Sequence, residues 1–268
     1  MNVIDIVREQ IAAYDAGKSF AVVTITGSDG STTRSNGKMI VFEDGSTKGT
    51  IGGGAVELMA ICDAKKCIQE RTGKYCSYDL TTPASEAGMT CGGCLSVMIE
   101  SFAARPLLVM CGAGHVGGEV LKLASYLGFS TLLVDDRKEE VIAEKIALAD
   151  RFVQVKDFEE DLKNITFPED TFVVIAAHGH AFDGAALAGV IEKNVKYIGM
   201  IGGPKKINAL FAKLREKGVK QEKLDNVYAP VGLDLGGETP EEIAFSIMSE
   251  VLMKKNGRTG GHLIGMEV

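Results

Sequence analysis

Leu107-Leu-Val-Met-Cys-Gly-Ala-Gly-His-Val-Gly117 is the stretch that decides the fold of this chain. An apolar run of strand character ends at Cys111, glycines follow in G-x-G-x-x-G spacing, and residues 119–126 continue with helical periodicity. A second apolar run, Thr131-Leu-Leu-Val134, leads into Asp135-Asp136-Arg137. Strand, glycine turn, helix, strand and acidic residue in that order make the unit of a Rossmann-type fold. In this reading Gly112 permits the tight turn and Gly114 lets backbone N–H groups approach a diphosphate. Gly117 lets helix and strand pack closely. The helix start adds partial positive charge where phosphates would sit. Asp135 falls about twenty residues past Gly112, the place that usually meets a ribose hydroxyl.

Downstream the alternation continues. Residues 152–155, 171–177 and 197–201 read as strands, and 183–193 and 205–217 as helices. Such alternation predicts a parallel sheet with helices on both faces. Thr239-Pro-Glu-Glu242 is a helix start, with Thr239 as cap, Pro240 in the first turn and Glu242 closing a capping box. Upstream, about a hundred residues read as a separate mixed α/β domain. Residues 2–16 are amphipathic, with Ile4, Val7, Ile11 and Ala12 on one face. Strands are expected at 19–26 and 38–43, with a hairpin-type turn at Asp44-Gly45. Gly52-Gly-Gly54 opens a helix running to about Glu70, and short strands follow at 75–80 and 95–100. The expected fold class is therefore α/β: an N-terminal mixed α/β domain (1–103) and a doubly wound, Rossmann-like parallel sheet (104–256). The glycine-rich residues 257–268 are expected to form a mobile tail.

Composition narrows the function classes. Over 268 residues the chain is 46% hydrophobic and 24% charged, enough to bury a real core, and its net charge of −7 lacks the basic stripe of a nucleic-acid binder. No apolar run approaches the roughly 20 residues of a membrane-spanning helix. The N-terminus has no secretory pattern, and six cysteines are too few for a disulfide scaffold of this length. A cytoplasmic location is the expectation. Tryptophan is absent and aromatics make up 6%, which argues against a base-stacking platform.

Four further segments carry chemistry. Gly27-Ser-Asp-Gly-Ser-Thr-Thr-Arg34 is either a solvated loop or, through the planar donor fork of Arg34, a phosphate or carboxylate contact. Gly49-Thr-Ile-Gly-Gly-Gly54, with Glu57 beyond it, can present bare N–H groups to an anion from Gly52, Gly53 and Gly54, or serve tight packing. In Met89-Thr-Cys-Gly-Gly-Cys94 the flanking glycines leave the Cys91 sulfur approachable. That thiol could ligate a soft metal, accept sulfur or exchange a disulfide; zinc is disfavoured for want of a second close pair, and inert burial is the plain alternative. Ala177-His-Gly-His180 with Asp183 follows the fourth strand, where ligands of open α/β sheets gather. His115, inside the glycine turn, would lie near the same cleft as His178 and His180. Together they suit a polar ligand, while structural hydrogen bonding accounts for each singly.

Taken together these segments resemble the XdhC/CoxI family, accessory factors of xanthine dehydrogenase and related molybdenum hydroxylases. The resemblance rests on Gly30-Ser-Thr-Thr-Arg34, Gly49-Thr-Ile-Gly-Gly-Gly54 with Glu57, Cys91-Gly-Gly93 and Ile99-Glu100. It continues through Gly112–Gly117, Asp135-Asp-Arg137, His178-Gly-His180 with Asp183, Tyr197-Ile-Gly-Met-Ile-Gly202, Ala229-Pro-Val-Gly-Leu-Asp234 and Thr239-Pro-Glu-Glu-Ile-Ala244. Three segments depart from the family pattern. Thr33 stands in place of a proline, Gly203-Pro204-Lys205 in place of a serine–arginine–arginine run, and Cys94 is additional.

The resemblance implies a cytosolic maturation chaperone, not a turnover enzyme. Its cargo would be the molybdenum cofactor (molybdopterin), protected while a terminal oxo ligand is exchanged for sulfur and then passed to an apo molybdenum hydroxylase. A cysteine desulfurase and a second copy of the chain are the other implied partners. Cys91 would meet the molybdenum or its sulfur, and Arg34 with the glycine turns would hold the phosphate end of the pterin. Two alternatives remain from the residues themselves. One is an NAD(P)-dependent oxidoreductase using Asp135 and a histidine proton donor; the other is a redox or nucleotide sensor working through Cys91 and Cys94.

Overall fold

A computed structural model describes residues 2–30, 36–79 and 93–264 of the chain. Two compact units divide it, Met1–Arg105 and Pro106–Val268. Among the described residues no helix is long and apolar enough to cross a membrane.

The first unit runs α1 (Val3–Asp15), β1 (Phe20–Gly30), β2 (Lys38–Phe42), β3 (Thr47–Thr50), α2 (Gly54–Glu70), β4 (Lys74–Asp79) and β5 (Gly93–Phe102). Its five strands form an antiparallel sheet in the order β3-β2-β1-β5-β4. Alternation along the strands sorts the core into two layers. Ala21, Val23, Met39, Val41, Val97 and Ile99 pack with Val56, Ala60 and Ala64 of α2. Phe20, Val22 and Ile40 face the other way, toward Ile6 and Ala13 of α1. The apolar face expected on the first helix is therefore not its buried face. Ile4, Val7 and Ile11 are 42–59% exposed, and the narrow contact with β2 and β3 is made through Ile6 and Ala13. The helix is fixed at its start by a capping box between Asn2 and Asp5.

The second unit begins with β6 (Leu107–Cys111), α3 (His115–Tyr126), β7 (Ser130–Asp135), α4 (Glu139–Ile146) and β8 (Arg151–Gln154). It continues through α5 (Phe158–Asn164), β9 (Thr171–Ile175), α6 (His180–Val190), β10 (Tyr197–Met200) and α7 (Pro204–Glu216). It ends with α8 (Gln221–Asp225), β11 (Val227–Tyr228) and α9 (Pro240–Lys255). The six strands are parallel in the order β11-β10-β9-β6-β7-β8. This is the doubly wound Rossmann order, with the topological switch between β6 and β9. Every residue of β6 and β9 is buried, as expected of central strands covered on both faces. Leu107, Val109, Cys111, Val173 and Ile175 pack on α5, α6 and α7, while Leu108, Met110, Phe172 and Val174 pack on α3 and α9. The Thr239–Glu242 capping box starts α9, and Glu250 on that helix takes hydrogen bonds from Tyr197 Oη (2.5 Å) and Gly232 N–H (3.0 Å).

Candidate functional site

The carboxyl edge of the parallel sheet collects the residues that sequence singled out in the second unit. Gly112 leaves β6 at φ +115°, and a Cβ there would lie 2.3 Å from the Ala176 carbonyl oxygen at the exit of β9. A Cβ on Gly117 would lie 2.1 Å from the Gly112 carbonyl oxygen. Both glycines are demanded by close backbone approach. Gly114, the N-cap of α3, has nothing within 4 Å of the Cβ position and no strained φ. The middle glycine of the turn thus faces open space. The helices that follow β6, β9 and β10 begin on Gly114, Gly179 and Gly203, each with no side chain capping it. Their first-turn N–H groups and partial positive charges share one edge of the sheet, an arrangement suited to an anion.

Two buried carboxylates hold these exits in place. Asp135 is fully buried; its Oδ2 accepts from Ala113 N–H at 2.6 Å and from Arg137 Nη2 at 2.8 Å. Its Oδ1 accepts from Arg137 Nε at 2.8 Å and Arg137 N–H at 3.0 Å. Burial alone would raise its pKa, but the bonds from Arg137 and Ala113 outweigh it and hold the carboxyl below its ordinary 3.8. Asp183, at 1% exposure, does the same for the exit of β9: Oδ1 accepts from Ala177 N–H at 2.8 Å and Oδ2 from Lys206 Nζ. Between them lies the Cys111 thiol, pushed up to about 12 by burial and then by the charges of Asp183 and Asp135. That sulfur is an inert core group. Both oxygens of Asp135, the residue expected to meet a ribose, are bonded to Ala113 and Arg137 in this structure. Asp183 likewise pairs with Lys206.

The histidines take different places. His115 is the first residue of α3 and is exposed. His178 follows β9; its Nδ1 stands 3.5 Å from Asp136 Oδ1, and its ring lies against Phe182 at a centroid distance of 4.4 Å. His180 opens α6, and its side chain lies outside the described part of the structure. Among the described residues no group of three or more His, Cys, Asp or Glu could hold a metal ion. Arg137, Lys206 and Asp136 were not singled out as site residues from sequence. Only the Asp135-Asp-Arg137 cluster hinted at two of them, and Lys206 lies 23 residues beyond its partner.

In the first unit Gly52, Gly53 and Gly54 all take positive φ, at +134°, +86° and +68°. Two N–H groups of this loop are turned onto Glu57, whose Oε1 accepts from Ile51 N–H at 3.0 Å, Gly53 N–H at 2.9 Å and the Thr50 hydroxyl. Burial raises Glu57, yet the bonds from Thr50, Gly53, Ile51 and Gly52 prevail and lower it. The loop already holds an anion, its own glutamate. Of the three glycines expected to offer bare donors, Gly53 gives its N–H to Glu57 and Gly52 gives its own to the Thr50 hydroxyl oxygen at 3.1 Å. Cys94, second residue of β5, lies 3.0 Å from the Ser77 hydroxyl. Arg34 and Cys91 lie outside the described residues.

Residues 108–251 match the family model described as the XdhC Rossmann domain, and residues 13–79 match that of the XdhC and CoxI family. The uncharacterized protein YqeB of Escherichia coli is 36% identical over 243 residues, 90% of this chain and 44% of YqeB. A protein of Bacillus subtilis named as a probable xanthine dehydrogenase subunit is 26% identical over 60% of the chain and 46% of its own length. The chain thus spans less than half the length of these two relatives. The molybdenum cofactor insertion chaperone PaoD of Escherichia coli is 24% identical over 92% of the chain and 86% of PaoD. The crystal structure of a xanthine dehydrogenase from Bacillus halodurans shares the fold, with a TM-score of 0.51, 23% identity and 97% of each chain covered.

Proposed function

Because this chain belongs to the XdhC and CoxI family, we propose that it is an accessory factor of a xanthine dehydrogenase-type molybdenum hydroxylase and that it carries the molybdenum cofactor. The observation that carries this reading is the carboxyl edge of the parallel sheet. Three glycine-led helix starts without side-chain caps share that edge, and the Cβ position of Gly114 is open. That arrangement supports a phosphorylated ligand. Similarity to PaoD, named as a molybdenum cofactor insertion chaperone, supports the choice of cargo.

In this mechanism the N–H groups of the first turn of α3 receive the phosphate end of the pterin, with the helix starts of α6 and α7 adding positive potential. Arg137 and Lys206 hold the turns rigid through Asp135 and Asp183, so the donors are fixed before the ligand arrives. Cys91, by resemblance, is the thiol that meets the metal or its sulfur, and Arg34 a second phosphate contact. The reading includes sulfur delivery by a cysteine desulfurase, transfer to the apo-hydroxylase, action in the cytoplasm and a homodimer.

The test is anaerobic purification from a host that makes the cofactor, with molybdenum, pterin and adenine nucleotide assayed on the same sample. The expected result is molybdenum and pterin together, without adenine dinucleotide. Protein carrying neither, or carrying NAD(P) in their place, would overturn the proposal in favour of an oxidoreductase.

A further inference from the structure

The carboxylate beside Asp135 is in a different situation. Asp136 Oδ1 is buried and, among the described residues, is the buried side-chain oxygen without a hydrogen-bond partner. His178 Nδ1, at 3.5 Å, is near enough to cover it and too far to satisfy it. A carboxylate oxygen taken out of water without a donor is unfavourable, and such an atom calls for an account. His178 is held from its other side by Phe182, which meets Phe158 edge-on at a centroid distance of 6.1 Å. Asp136 follows β7 and His178 follows β9, and these strands pair with opposite sides of β6. The two side chains therefore meet across the exit of β6, beside the glycine turn with its open Gly114.

We propose that Asp136 reads the hydrogen-bond donors of the cargo and that His178 is its cover, displaced when the cargo binds. This rests on the cofactor reading given above. A carboxylate only accepts hydrogen bonds and repels phosphate, so it divides the cleft. The phosphate goes to the start of α3, and a pair of adjacent donors goes to Asp136. Two parts of such a cargo offer that chemistry: the amine and ring N–H groups along one edge of the pterin, and the vicinal hydroxyls of a ribose in a nucleotide-extended form. Displacing His178 breaks no well-formed hydrogen bond, so the exchange gains a satisfied acceptor at little cost. Asp135 has no such capacity, since both its oxygens are already bonded.

Calorimetric titration distinguishes the sources. The full chain, Asp136→Asn, His178→Ala and the double variant are titrated with a pterin monophosphate lacking ribose, and separately with cytidine 5′-diphosphate. Asp136→Asn is expected to weaken whichever probe supplies the donor pair by roughly tenfold or more, as befits a lost bond to a charged acceptor. His178→Ala is expected to tighten the same probe a few-fold and to add nothing in the Asp136→Asn background. Wild-type binding of the probes with no loss for either of them in Asp136→Asn would overturn the assignment while leaving the cofactor reading standing. Weakening by His178→Ala would make that residue a ligand contact and overturn its role as cover. A dependence on Asp136 for the cytidine probe alone keeps Asp136 as the reader and assigns it the ribose. Failure of the wild-type chain to bind either probe would overturn both proposals. Circular-dichroism melts of each variant confirm that the compared proteins are folded.

Discussion

Asp135 at the end of β7 and Asp183 in the first turn of α6 act alike, each buried, each holding the N–H of the second residue past a central strand and each paired with one cation. Their charges serve the turns, and this has measurable consequences. Asp135→Asn should cost on the order of 1–3 kcal/mol, because a bond to a charged acceptor is lost inside the core. The pH dependence has a definite sign. A carboxyl held below its ordinary 3.8 in the folded state contributes fully above that value and loses its contribution as the pH falls below it. Urea midpoints between pH 5 and pH 2 should therefore fall less steeply in Asp135→Asn than in the wild-type chain; equal slopes would contradict this account. Lys206→Met leaves Asp183 buried without its cation and should cost about 3–5 kcal/mol, with much of the loss recovered in Asp183→Asn/Lys206→Met. A Lys206→Met variant as stable as wild type would show that the pair is not what holds the exit of β9.

At the scale of elements, the glycine turn separates packing from binding. Gly117→Ala places a methyl group 2.1 Å from a backbone oxygen and should destabilise by at least about 1–3 kcal/mol, whether or not ligand is present. Gly114→Ala meets nothing within 4 Å and should change stability by less than about 1 kcal/mol, yet it puts a methyl group where the ligand would approach. Protein of the second variant should melt like wild type and come through anaerobic purification without pterin. Retained pterin would move the binding site away from this turn. Much of the supporting architecture was legible because its signals are local. The spacing from Leu107 to Asp135, the Asp44-Gly45 turn and the Thr239–Glu242 box each specify an element within a few residues. The short helices α4 and α5 were not legible: eight and seven residues, one interrupted by a non-helical Ile142 and the other strongly charged, carry little periodicity. The face of α1 was misread for another reason, since its sequence offers apolar residues on more sides than the sheet covers. The direction in which a site carboxylate turns was not legible. Sequence placed Asp135 and Asp183 at the right edge of the sheet, but whether a carboxylate turns inward depends on Arg137 and Lys206.

For the whole molecule, an acidic chain with a doubly wound sheet and a glycine-led edge fits a carrier of a small phosphorylated ligand better than a nucleic-acid binder. A carrier must protect its cargo and also give it up, so affinity alone does not establish the role. The most direct measurement is reconstitution of an apo molybdenum hydroxylase with the chain purified anaerobically in its loaded state, followed as recovered hydroxylase activity against time. The account predicts that the loaded chain restores activity and loses its molybdenum and pterin in parallel, while the Gly114→Ala chain restores none. Recovery that is the same with and without the chain, from an equal amount of free cofactor, would contradict it.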